Sequence, residues 1–187
     1  MPAVRRPRAF TLIEAMIVVV IVGVLALVAT VAYRKWVLNS YVGEAQNMLG
    51  NIRSAEETFR AENSGYLNVS NGLSLSSLYP ATTPIGNLKT AWGAACTVCT
   101  GGSWAALNVN PDAPVRFGYA VIASNDPGAD PPAAINGTAV NLTVMKGKPW
   151  YVAEAICDLD SDSTTAPSTT AYAVSGTNQI FVLNEGR

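Results

Sequence analysis

Phe10 to Tyr33 (FTLIEAMIVVVIVGVLALVATVAY) is an apolar run of 24 residues that contains one charge, Glu14. As a helix rising about 1.5 Å per residue it extends roughly 36 Å, enough to cross a hydrocarbon core of about 30 Å. A chain carrying such a run must either bury it in lipid or cover it with other apolar surface. The basic leader Met1 to Ala9 (MPAVRRPRA) abuts the run, and no small-residue cut site follows it as in a secretory signal. The run is therefore built to be retained. Arg5, Arg6 and Arg8 precede it, which by the positive-inside bias keeps the leader cytoplasmic and sends Arg34 onward across the membrane. Glu14 is the anomaly, because a carboxylate near the start of a lipid-buried helix is costly and marks a functional site by default. The plainer reading is a charge snorkelling to the interface.

These residues, A-F-T-L-I-E followed by an apolar run with Gly23, resemble the N-terminal motif of type IV pilins and pseudopilins. The resemblance is close over Arg8 to Tyr33 and loose over Arg34 to Tyr66. It implies cleavage by a prepilin peptidase between Ala9 and Phe10, N-methylation of Phe10, and an assembly role for Glu14, which would receive the new amine of a neighbouring subunit. Two departures stand out. Ala9 replaces the usual Gly before the cut, and Val31 replaces the Pro that many pilins carry eight residues after the Gly that stands here at Gly23. Without that Pro the helix keeps a hydrogen bond that such helices often lose.

Beyond Arg34 the apolar residues become periodic, with Val37, Leu38, Tyr41, Val42, Ala45, Met48, Leu49, Ile52, Ala55 and Phe59 at spacings of three and four. One helix of about 50 residues is predicted, from Phe10 to near Asn63, with Gly65 in the left-handed conformation at its end. Gly43 and Gly50 weaken it and mark either bends or close subunit contacts, or are simply tolerated on an exposed side. Residues 65–115 read as a long variable connecting loop. Strand-like segments follow at Arg116–Ser124, Val140–Met145, Trp150–Asp158, Thr170–Val174 and Gln179–Leu183, with clear alternation at Tyr151, Ala153, Ala155 and Cys157. The expected fold is α+β: a long N-terminal helix, apolar in its first half and amphipathic in its second, packed on a C-terminal antiparallel sheet. The expected organisation is a leader at 1–9, a membrane or filament-core helix at 10–33, an amphipathic helix at 34–64, the loop at 65–115 and the sheet region at 116–187.

The chain has no His, which removes Ser/His/Asp and Cys/His catalysis and most catalytic zinc sites, so it is read as no enzyme. Its cysteines are Cys96, Cys99 and Cys157, and the topology places them in an oxidising compartment. The expected bridge joins Cys157 to Cys96 or Cys99, closing a loop of about 60 residues worth roughly 4 kcal/mol in the chain-entropy account. A Cys96–Cys99 bridge is the alternative. Asp158, Asp160 and Asp162 alternate and could offer oxygen ligands to calcium, yet the Gly and closing Glu of the helix-flanked loop are absent, and an Asp-rich turn competes. Ser163 to Thr170 reads as a solvated connection, and the sequons at Asn68, Asn136 and Asn141 are weak matches.

The function that these readings and the resemblance imply is a structural subunit of a type IV pilus, serving adhesion or motility. Its partners would be other copies and other pilins, the prepilin peptidase, the inner-membrane assembly machinery and, before assembly, the inner membrane itself. A minor pilin or secretion pseudopilin shares the same motif. Loss of the leader arginines takes the formal charge from −1 to −4, so no general nucleic-acid binding is expected, and a DNA-uptake role would need a local cluster such as Lys146 and Lys148.

Overall fold

The computed structural model describes residues 10–86, 88–93, 96, 99, 103–159, 161 and 169–184. One helix, α1 (Leu12–Asn63), is followed by the strands β1 (Gly118–Ser124), β2 (Ala134–Ile135), β3 (Thr138–Ala139), β4 (Trp150–Cys157), β5 (Thr169–Val174) and β6 (Ile180–Leu183). The chain divides into two compact units, the first ending at Val37 and the second beginning at Leu38. The fold is the expected α+β arrangement, a long N-terminal helix with a C-terminal antiparallel sheet.

In the first unit α1 is long and apolar enough to cross a membrane. Every large apolar side chain from Leu12 to Val31 is more than half exposed. Gly23 touches nothing that an added Cβ would meet. At the far end the exposed rings of Tyr33 and Trp36 stack with centroids 6.4 Å apart, a pairing of amphipathic rings suited to a lipid–water boundary.

In the second unit, Val42, Ala45, Met48, Leu49, Ile52 and Glu56 form the buried stripe of α1, the 3.6-residue periodicity anticipated above. The main sheet runs β1-β4-β5-β6, all antiparallel. Tyr119, Val121, Tyr151, Ala153, Ala155, Cys157, Ala171 and Ala173 share one core with the helix stripe. The opposed pairs Ala153–Ala173 and Ala155–Ala171 sit at the centre of that face, where small side chains let a helix pack closely on a sheet.

The other face of the sheet is not solvated. Trp150, Val152, Tyr172 and Val174 are covered by Ile135, Leu142 and Met145, so β4 is buried along its whole length. The covering segment contains a β2–β3 hairpin turned by Asn136 and Gly137, both at positive φ, the conformation that an Asn-Gly pair adopts readily. The free edge of β1 is occupied by the long loop: Tyr79 and Tyr119 exchange backbone hydrogen bonds of 2.9 and 2.7 Å, and Ser70 N–H donates to Val121 O at 2.8 Å. An otherwise open strand edge is thereby satisfied.

This close docking constrains Gly118, where a Cβ would lie 2.6 Å from Ala81 O and 2.9 Å from Leu78 Cβ. Gly118→Ala is therefore expected to cost about 2 to 3 kcal/mol through overpacking. The measurement is a urea midpoint falling at unchanged m-value; an unmoved midpoint would mean that the loop gives way freely.

Three expectations are corrected. Val140–Met145 is no strand: Asn141 Oδ1 accepts from Thr143 N–H at 3.2 Å and a 3-10 turn spans Thr143–Met145, a local side-chain bond that competes with strand pairing. The left-handed residue after α1 is Ser64 (φ 58), not Gly65. Gly65 is required for space, since a Cβ there would lie 2.7 Å from the Asn125 side chain, which bonds both Tyr66 N–H and Tyr66 O. Finally, Cys157 forms no bridge; the disulfide joins Cys96 and Cys99, with Cα atoms 5.5 Å apart, and Cys157 is a buried free thiol. Cys157 lies on β4 among the core side chains facing α1, where burial pushes its thiol up to about 12. A ring closed by four residues contributes about 2 kcal/mol in the chain-entropy account, against about 4 for the long loop anticipated.

Candidate assembly site

The start of α1 is organised by two residues, Thr11 and Glu14. Thr11 precedes the first helical residue, and Glu14 stands three positions on. Thr11 N–H donates to Glu14 Oε2 at 2.8 Å, the Thr11 hydroxyl donates to the same oxygen at 2.7 Å, and Glu14 N–H donates to Thr11 Oγ1 at 3.3 Å. This is a reciprocal capping box, which satisfies helix-start N–H groups that would otherwise lack partners. The carboxylate also lies at the positive end of the helix dipole. The T-L-I-E spacing carries this signal in the sequence, inside an apolar run whose length is the stronger signal.

Glu14 thus has a local structural task beside any intermolecular one. Both of its described hydrogen bonds use Oε2, and its neighbours Phe10, Ile13 and Ile17 are exposed apolar groups. A carboxylate set in such a surface is poised to receive a cation when that surface is covered, because removal from water strengthens the attraction between opposite charges. Phe10 is 82% exposed at the head of the same surface. Ala9 and the leader arginines lie outside the described residues.

The remaining sequence candidates separate from this site. Asp158 Oδ1 accepts from Ser161 N–H at 2.9 Å, an arrangement of the turn itself, while Asp160 and Asp162 lie outside the described residues. Among the described residues no group of three or more potential metal ligands occurs. Lys146 sits 3.0 Å from Asp130, so its charge is locally balanced, with both side chains exposed. Asn136 Nδ2 donates to Thr170 Oγ1 at 2.6 Å and Asn68 Oδ1 accepts from Ala123 N–H at 3.2 Å, giving both sequon residues structural partners. Glu44 binds the helix to the loop and sheet: Arg116 N–H donates to it at 2.6 Å, and Lys89 Nζ and Arg116 Nε lie 3.7 and 3.9 Å away.

Two buried acids were not anticipated. Glu56 is fully buried; Leu67 N–H donates to Oε2 at 3.0 Å, Oε1 has no partner among the described residues, and burial raises its carboxyl to about 7. Glu154 on β4 is also fully buried, neither oxygen has a partner among the described residues, and burial raises it to about 8.

Residues 4–30 match the family described as the prokaryotic N-terminal methylation motif. Over 55 residues the chain is 40% identical to the fimbrial protein EcpC of Eikenella corrodens, an alignment that covers 29% of this chain and 36% of that relative. The chain thus spans about a third of the curated relative it matches. No solved structure matches it. The chain thus carries the prokaryotic N-terminal methylation motif on a long exposed apolar helix, ahead of an antiparallel sheet, and over the matched stretch it is similar to a fimbrial protein.

Proposed function

We propose that this protein is the structural subunit of a type IV pilus. It is held in the inner membrane by the first half of α1, cut by a prepilin peptidase between Ala9 and Phe10, and methylated on the new Phe10 amine. The inner-membrane assembly machinery then transfers it into a surface filament serving adhesion or motility. The observation that carries this reading is the exposed apolar surface of α1 from Phe10 to Val31, broken by the single charge of Glu14. Such a surface cannot remain in water, since about 25 cal/mol is lost for each Å² of apolar area left uncovered. Lipid covers it before assembly, and the equivalent helices of neighbouring copies cover it in the filament. Within that bundle Glu14 pairs with the Phe10 amine of a neighbour. No catalysis or cofactor is part of the role.

Mass spectrometry of sheared surface filaments tests the proposal. The expected result is an abundant chain whose N-terminal peptide begins at N-methyl-Phe10. Filaments containing intact Met1 to Ala9 would overturn the processing step, and a trace amount beside another pilin would make this a minor subunit. A chain confined to membranes in cells that produce filaments would end the filament reading.

A further inference from the structure

The long loop contains a cavity of about 480 Å³ next to the Cys96–Cys99 bridge, within the range of about 300–1,000 Å³ usual for small-molecule sites. Its apolar wall is built from Tyr79, Trp92 and Trp104. The Trp92 ring meets Tyr79 edge-on at 4.8 Å and Trp104 at 5.2 Å between centroids. These rings are held in place: Trp92 Nε1 donates to Val109 O at 3.1 Å, and Gly93 N–H donates to Tyr79 Oη at 3.0 Å. Ser103, Asn108 and Asn110, all exposed, supply hydroxyl and amide groups at the rim. Among the described residues no charged side chain lines the cavity. Trp104 is 3% exposed, and among the described residues its indole N–H has no acceptor.

We infer that this cavity is a binding site for a neutral sugar, a pyranoside ring stacked on the half-buried Trp92 ring, which Tyr79 and Trp104 hold from behind, with its hydroxyls on the rim. The chemistry selects this class. An aromatic face carries partial negative charge and attracts the polarised C–H groups on one face of a pyranose. Asparagine amides both donate and accept, which matches a ligand whose periphery is hydroxyl groups that do the same. An uncharged wall offers nothing to a phosphate, carboxylate or ammonium ligand. The fixed rings also reduce the ordering cost of binding.

The chain contains four tryptophans, and Trp36 and Trp150 lie outside the cavity. They serve as internal controls when the full chain, in micelles of a zwitterionic detergent without a sugar headgroup, is titrated while its indole N–H resonances are followed. Methyl galactoside, methyl glucoside and N-acetylglucosamine are each raised to about 50 mM, well above the millimolar dissociation constant of weak binding. Saturable shifts at Trp92 and Trp104 are expected for at least one sugar, with Trp36 and Trp150 unmoved. Asn110→Ala, on the exposed rim, should weaken that binding at least about tenfold while the remaining spectrum stays in place. Three outcomes overturn the inference: no saturable shift with any sugar, equal shifts at all four indoles, or saturation by free indole with none by sugars. Unchanged affinity in Asn110→Ala overturns the rim assignment and with it the pose. The titration is independent of filament formation, so its failure and that of the pilus reading are separate results.

Discussion

Glu14→Ala chains are expected to reach the membrane at the wild-type level and to fall at least tenfold in sheared filaments. Removing the carboxylate eases membrane insertion, because translocon scales assign about 2.5 to 3.5 kcal/mol to an acidic group at mid-bilayer and less near its edge. Assembly suffers for the opposite reason. An incoming Phe10 amine would be buried without its partner, and breaking one side of a buried pair costs about 3 to 5 kcal/mol, far more than the tenfold read by the experiment. The capping box supplies a rival cause, since Glu14 also accepts from Thr11 N–H and the Thr11 hydroxyl, and losing such a cap costs about 1 kcal/mol. Glu14→Gln separates the two, because Gln can close the same box but carries no charge. Low filament yield in both variants at equal membrane level supports charge pairing. Filaments restored by Gln and absent with Ala would assign Glu14 to helix capping, and wild-type yield with Ala would leave the residue no assembly role.

The parts of this fold that local chemistry determines were legible in the sequence. The apolar run and the three-and-four spacing up to Phe59 define α1 almost to its last residue, and alternation at Tyr151, Ala153, Ala155 and Cys157 marks the face of β4 that joins the helix core. What escaped depends on pairs distant in the chain. Val152, Glu154 and Ile156 alternate with that face and so read as outward, yet a segment some ten to twenty residues upstream covers much of the same side. The Asn136-Gly137 turn was a hairpin signal of ordinary strength, hidden because its strands are two residues each. For the cysteines, entropy favours the long loop, but position decides: Cys157 is directed into the helix–sheet core while the Cα atoms of Cys96 and Cys99 lie 5.5 Å apart. Of the candidate site, the motif residues were visible and the capping geometry at Thr11 was present in the spacing. The aromatic cavity was not, because Tyr79, Trp92 and Trp104 belong to a loop without periodicity.

Glu154→Leu should stabilise the second unit by about 3 to 5 kcal/mol at pH 8 and by a smaller amount near pH 5. Glu154 stands opposite Ala120 on β1 and Tyr172 on β5, flanked on its own strand face by Val152 and Ile156, with neither carboxyl oxygen hydrogen-bonded among the described residues. Burial therefore raises its pKa from 4.5 to about 8, and the folded state retains a proton that the unfolded chain releases. The stability from that proton is complete below the unfolded value of 4.5 and is lost as pH rises toward 8. At 1.36 kcal/mol per unit the loss across this window is about 4 kcal/mol. Glu56 acts in the same direction from 4.5 to about 7, so the wild type should be markedly less stable at pH 8 than at pH 5. Leucine has nothing to ionise and fills a similar volume, so it removes both the ionisation cost and the unsatisfied oxygens. Urea unfolding of the full chain in micelles at a series of pH values measures this. The variant should lose about 4 kcal/mol of the pH 5 to pH 8 difference and keep the part due to Glu56, whereas parallel curves for the two proteins would show that Glu154 meets water or a proton donor in solution.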